Sequence, residues 1–126
     1  MSDTNQPAIE VIPSKQFSKW VRKAKLAAPI AALTAELVET PTLGEVIPGY
    51  GGLRKVRMGG AGRGKRGGFR VVYTMLIDST LLILLDGYSK SEREDLSADE
   101  LADLLADAAR VEAVVRAERE KAVTEE

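Results

Sequence analysis

Apolar residues recur at two different spacings along this 126-residue chain, and the change of period marks out its elements. Residues 1–7 are polar, with nothing to bury, and are expected to fray. Residues 8–12 form a short β-compatible stretch, and Pro13-Ser14 then supplies a helix start with Ser14 as N-cap. Phe17, Trp20, Val21, Ala24 and Ala28 follow at helical spacing, so Phe17 and Trp20 are expected in the core and the lysines and arginines between them on a solvated face. A second helix opens at Pro29, carries Ile30, Leu33 and Leu37 on one side and stops at Thr40-Pro41.

After a turn-rich link the period changes to two. Residues 53–58 alternate, placing Leu53, Lys55 and Arg57 on one face and Arg54, Val56 and Met58 on the other. Residues 69–77 alternate again, with Phe69, Val71, Tyr73, Met75 and Ile77 opposite Arg70, Val72, Thr74 and Leu76. Between these strands, residues 59–68 hold six glycines and no apolar side chain larger than Ala61, which reads as a long hairpin loop. A tight turn at Asp78-Ser79 precedes residues 80–85, a nearly unbroken apolar run expected of a strand covered on both faces. Ser97 and Glu100 have capping-box spacing, and Leu101, Leu104, Leu105, Ala108, Val111 and Val115 form the stripe of the helix they open. Past Arg116 little remains to bury, so residues 116–126 are expected to project or fray as an acidic tail, helical or disordered. One domain spanning 1–126, without internal repeats, is the expectation.

Composition narrows the chemistry. There is no cysteine, which excludes a disulfide scaffold, and no histidine, which removes the usual general base and the commonest metal ligand. Catalysis here would run on Lys, Arg, Tyr, Ser or carboxylates, and neither a metal nor a cofactor is expected. The longest apolar run, residues 81–85, is far too short to span a bilayer, and the first residues lack a signal-peptide pattern, so a cytoplasmic protein is expected.

Charge is strongly segregated along the chain. Seven of the 18 basic residues lie within 54–70, no Asp or Glu occurs within 46–77, and 12 of the 19 acids fall after Lys90, although the net charge is only −1. A concentrated basic patch on a near-neutral protein suits a phosphate-rich ligand. Residues 59–65 match G-x-x-x-x-G-K, but Arg66 replaces the Ser or Thr that a P-loop needs and a strand follows where a helix should, so nucleotide binding is set aside. Lys55, Arg57 and Arg70 are the candidate strand-borne cations, with Arg54 beside them and Arg63, Lys65 and Arg66 on the hairpin loop. Tyr88 and Lys90 emerge where the apolar strand ends.

The motifs G-G-L-R-K-x-R, G-R-G-K-R-G-G-x-R-V-x-Y and Y-x-K-x-E-R-E-D-L-S, over residues 9–113, together resemble the HigB-type branch of the RelE/ParE superfamily of type II toxins. The resemblance implies an α+β fold with an N-terminal helix hairpin packed on a small antiparallel sheet and a C-terminal helix. It also implies a metal-independent endoribonuclease that enters the ribosomal A site and cuts translated mRNA. The expected partners are a cognate helix-turn-helix antitoxin, the ribosome and mRNA, with operator DNA reached only through the antitoxin and no membrane. By position the resemblance matches Lys55, Arg57 and Arg70 to the family's sheet-borne catalytic cations, makes Tyr88 and Lys90 further catalytic candidates, and fits Arg63, Lys65 and Arg66 to the branch's basic hairpin, expected with Arg54 of the same cluster to bind RNA. Ser91 stands where some relatives carry a catalytic Arg. A non-catalytic RNA- or ribosome-binding module and a ParE-like inhibitor of DNA gyrase remain alternative functions.

Attack of an RNA 2′-OH on the adjacent phosphorus needs a base, cations around the phosphorane and a donor at the leaving oxygen. Arg57 and Arg70 suit the second task, because a guanidinium binds phosphate bidentately and keeps its charge. Lys55, crowded by like charges, is the candidate base or second electrostatic contact, and Tyr88 or Lys90 the candidate for the leaving group.

Overall fold

Ser14 decides where the first helix begins and where it sits. Its Oγ accepts the Phe17 N–H at 3.0 Å, capping the helix, and donates to the Leu85 carbonyl at 3.1 Å, tying that cap to a central strand. The computed structural model of the chain describes residues 8–59 and 68–124. Its elements are β1 (Glu10–Pro13), α1 (Lys15–Ala24), α2 (Ala27–Glu39), β2 (Glu45–Val46), β3 (Arg54–Met58), β4 (Phe69–Leu76), β5 (Leu81–Ser89) and α3 (Ala98–Thr124). Lys25 closes α1 in the left-handed conformation, with φ of 58°. α2 starts two residues ahead of Pro29, because the first turn of a helix has no use for that missing N–H.

The sheet runs β1-β5-β4-β3-β2. Its ladders are antiparallel except one: β1 lies parallel to β5, with Val11 beside Leu82 and Ile12 beside Ile83. The fold is α+β as expected, and the antiparallel sheet gains one parallel strand at its edge, which makes it mixed. β5 is buried on both faces, so its outer row of backbone donors and acceptors needs a partner, and β1 supplies it. That pairing joins residues 71 positions apart and leaves no local trace in the sequence.

Each face of the sheet carries a core. Phe17, Leu33 and Leu37 from the helix hairpin cover Val56, Met58, Val71, Tyr73, Leu82 and Leu84. On the other side α3 sets Leu101, Leu104, Ala108 and Val115 against Leu53, Val72, Leu81, Ile83 and Leu85. β5 feeds both cores, which is why its sequence is apolar without alternation. Burying each such leucine is worth about 2 kcal/mol, and five successive residues of β5 are buried.

The β4–β5 register slips by one residue. Tyr73 pairs with Leu84 and Val72 with Asp86, so Leu85 has no partner on β4. This bulge changes the parity of the strand, and Leu85 and Tyr88, three residues apart, both reach the α3 face. Gly87 then falls under Trp20, where an added Cβ would lie 2.2 Å from the indole. Trp20 itself meets Phe17 and Phe69 at centroid distances of 5.7 and 6.0 Å.

β4 stops at Leu76, one residue earlier than the alternation suggests, because Ile77, Asp78 and Ser79 all take positive φ in the turn. α3 opens on the expected capping box: the Ser97 N–H reaches Glu100 Oε1 at 2.8 Å, and the Glu100 N–H reaches Ser97 Oγ at 3.1 Å. The helix continues to Thr124, eight residues past Arg116, so up to that point the tail takes the helical of its two expected forms. Arg119 accounts for its docking, donating to Thr80 Oγ1 at 2.8 Å and to Glu10 Oε1 at 3.0 Å.

Candidate nucleic-acid cleft

The strand alternation places Lys55 and Arg57 on the α3 side of β3, and the pairing register does the rest. Arg57 is the direct partner of Arg70, and Arg70 of Tyr88, so one row across three adjacent strands reads Arg57, Arg70, Tyr88. Side chains in such a row stand about 5 Å apart at Cβ. Lys55, Arg57, Arg70 and Lys90 line one cleft of about 550 Å³. Among the described residues no carboxylate lies within 4.0 Å of Arg57, Arg70 or Lys90. Guanidinium groups can bind phosphate oxygens bidentately, and two arginines paired in register on one face of the sheet are chemically suited to an anionic ligand.

The cleft is nonetheless less purely basic than the sequence implied. Glu36 of α2, Glu45 of β2, and Glu94 and Asp95 after β5 share its walls. Charge separated along the chain is partly remixed in space, because elements remote in sequence border the same hollow. Asp95 makes the closest contact. Its carboxylate takes Lys55 Nζ at 3.3 and 3.4 Å, the Tyr88 hydroxyl at 3.2 Å and the Leu96 N–H at 2.9 Å. Burial pushes the Asp95 carboxyl up, but the Leu96 N–H, Lys55 and Tyr88 together outweigh it and hold the group below the usual carboxylate range.

Tyr88 is not a free strand-end group. It is 4% exposed and packs into the α3 core, with Arg93 Cζ 5.9 Å from its ring centroid. Burial first, and then the Asp95 charge and hydrogen bond, push its phenol up to about 12, so it is a protonated donor at neutral pH. Lys90 is exposed, just beyond the strand, with its backbone N–H on the Gly68 carbonyl at 3.2 Å.

Arg54 goes elsewhere. It lies on the opposite face of β3, paired with Tyr73, and its Nη1 donates to the Gly44 carbonyl at 2.6 Å. Tyr73 holds the same turn, accepting the Gly44 N–H at 2.8 Å and donating to the Pro41 carbonyl at 2.7 Å. Arg54, expected among the RNA-binding cations, is thus turned by the alternation to the face away from Lys55, where it braces residues 41–44. Arg63, Lys65 and Arg66 lie outside the described residues. Sequence reasoning missed Asp95 as part of the site, although it sits in the acidic run S-E-R-E-D directly after Tyr88 and Lys90.

Comparison with known proteins gives the class and then the family. The fold is shared with a solved structure of a doubly substituted mutant of the E. coli toxin RelE in the free state, with a TM-score of 0.53 at 13% identity, covering 82% of this chain and 96% of that one. The family model described as the RelE toxin of the RelE/RelB toxin-antitoxin system matches residues 9–126. The chain belongs to the RelE toxin family, and its class is a toxin of a toxin-antitoxin system, which implies an antitoxin partner. Among the described residues, no helix is long and apolar enough to cross a membrane.

Proposed function

We propose that this chain is a HigB-type, metal-independent endoribonuclease that cuts mRNA in the ribosomal A site and is neutralised by a helix-turn-helix antitoxin. The observation that carries this reading is the Arg57–Arg70 pair, two arginines that are cross-strand partners, have no carboxylate within 4.0 Å among the described residues, and line a cleft with Lys55 and Lys90. An RNA phosphodiester seated there has its nonbridging oxygens between the two forks, where the charge of the phosphorane develops. Lys55 adds the third positive contact. As the 2′-oxygen bonds to phosphorus its proton passes to solvent water, and as the P–O5′ bond breaks Lys90, exposed at the rim, protonates the leaving 5′-oxygen, giving a 2′,3′-cyclic phosphate on one fragment and a 5′-hydroxyl on the other.

The cleft contains no histidine, and the phenol of Tyr88 is already engaged with Asp95. With so few groups for proton transfer, alignment of the 2′-OH behind the phosphorus must supply much of the acceleration, and a translating ribosome provides that alignment. Weak cutting of free RNA follows.

Programmed ribosomes carrying a defined mRNA test the assignment. Arg70→Ala and Lys55→Ala should each lose at least about 100-fold in cleavage rate, the scale set by removing one charge-stabilising donor. If both variants cut like the parent, the site is elsewhere. If the parent arrests growth and binds ribosomes with a steep salt dependence but yields no fragments, the chain is a binding module and not a nuclease.

A further inference from the structure

Asp95 stands outside the residue set that the family resemblance supplied, yet three elements converge on it. The Lys55 ammonium comes from β3, the Tyr88 hydroxyl from β5, and the Leu96 N–H from the segment leading into α3. We infer that Asp95 is the positioning residue of the cleft, which orients the Lys55 ammonium toward the Arg57–Arg70 phosphate seat and is itself held by Tyr88. This rests on the nuclease reading above and deepens it.

Stability alone gives the arrangement little purpose. The Lys55 side chain is 28% exposed and that of Asp95 61%, and an exposed ion pair of this kind contributes little to folding. Its effect is directional. A lysine has four rotatable bonds and a point charge, so without a fixed acceptor its ammonium samples a wide volume. Three of the four contacts to Asp95 fall on Oδ1, from the Tyr88 hydroxyl at 3.2 Å, the Leu96 N–H at 2.9 Å and Lys55 Nζ at 3.4 Å, while Oδ2 takes Lys55 Nζ at 3.3 Å, so a carboxylate fixed through Oδ1 holds the ammonium between its two oxygens. Tyr88 is buried, and its hydroxyl therefore offers a fixed point from which to aim the carboxylate. On this account Tyr88 acts through Asp95 and Lys55, and does not itself meet the leaving group.

The test compares Asp95→Asn, Asp95→Glu and Tyr88→Phe on the intact chain. Ribosome-dependent cleavage by Asp95→Asn should fall by about tenfold or more in kcat, with KM changed by less than about twofold, because a misplaced charge costs rate and not binding. Asp95→Glu should recover part of that loss. Tyr88→Phe should lower kcat in the same direction, and adding Asp95→Asn to it should cost little more, since the two act in series. A second readout is independent of cutting: the 15N resonance of Lys55 Nζ should shift in Asp95→Asn, while Glu112→Gln, which disturbs only a pair on α3, leaves it unmoved.

An unchanged kcat in Asp95→Asn, or a raised one, overturns the inference; the raised rate would mean that Asp95 competes with RNA for Lys55. An unshifted Lys55 resonance also overturns it. If the parent protein cuts no RNA, the nuclease reading fails, and the resonance still decides whether Asp95 holds Lys55.

Discussion

Arg57 and Arg70 are direct cross-strand partners on β3 and β4, and among the described residues neither has a carboxylate within ion-pair distance. Like charges placed this way cost stability, by about 0.2–1 kcal/mol for an opposed pair on a sheet surface. Arg70→Gln should therefore unfold at equal or higher urea than the parent while losing nearly all ribosome-dependent cleavage. Paired measurements of urea midpoint and cleavage rate check this; a variant that is clearly less stable would show that the two arginines do not repel.

Gly87 has no room for a methyl group. Its Cβ position lies 2.2–2.5 Å from three atoms of the Trp20 ring, so Gly87→Ala must displace the indole from its packing against Phe17 and Phe69. Overpacking of this sort costs about 1–3 kcal/mol. Combining it with Trp20→Leu should bring the double variant close to Trp20→Leu alone, as chemical denaturation would register.

Asp86 sits half-buried beside the bulge. Burial pushes its carboxyl above the ordinary range, and the Gly87 N–H, the Gln16 side chain and Arg93 offset part of that rise. With the folded pKa above the unfolded one, the native state binds more protons in the window between them, so stability falls as pH rises through it. Asp86→Asn keeps an acceptor for the Gly87 N–H, now at 2.8 Å from Oδ1, and removes the charge. It should be more stable than the parent at neutral pH, and the difference should vanish in acid below the ordinary carboxylate range. Urea midpoints across that range would reveal an advantage independent of pH if the account is wrong.

Arg119 pins the far end of α3 to Thr80 and Glu10. The Arg119–Glu10 pair is partly exposed, 38% and 51%, so Arg119→Ala should cost under about 1 kcal/mol globally. Its local effect is larger: amide hydrogen exchange over the last turns of α3 should quicken while the helix start, capped by Ser97 and Glu100, is unchanged. Uniform exchange along the helix would refute the latch.

What the sequence revealed was mostly local. Ser14 and the Ser97–Glu100 box announced two helix starts because a cap involves only neighbouring residues. The alternation of residues 53–58 assigned Lys55 and Arg57 to one face and Arg54 to the other, so the departure of Arg54 was already implicit in its parity. The parallel pairing of β1 was hidden, since nothing near Val11 names Leu82 as its neighbour. The bulge at Leu85 was hidden too, because a strand apolar on both faces has no alternation for an extra residue to break. The acids bordering the cleft, Glu36, Glu45, Glu94 and Asp95, come from three separate regions of the chain, and only the fold brings them to the basic strands.

The parallel strand at the sheet edge also dictates an order of events during synthesis. Residues 10–13 leave the ribosome early but have no ladder to join until 81–84 have followed, so the first strand made is a late one to be paired. The rim of the cleft, from 90 to 95, emerges later still. A nascent copy thus has its complete sheet and both walls of the cleft only when the polypeptide is nearly finished.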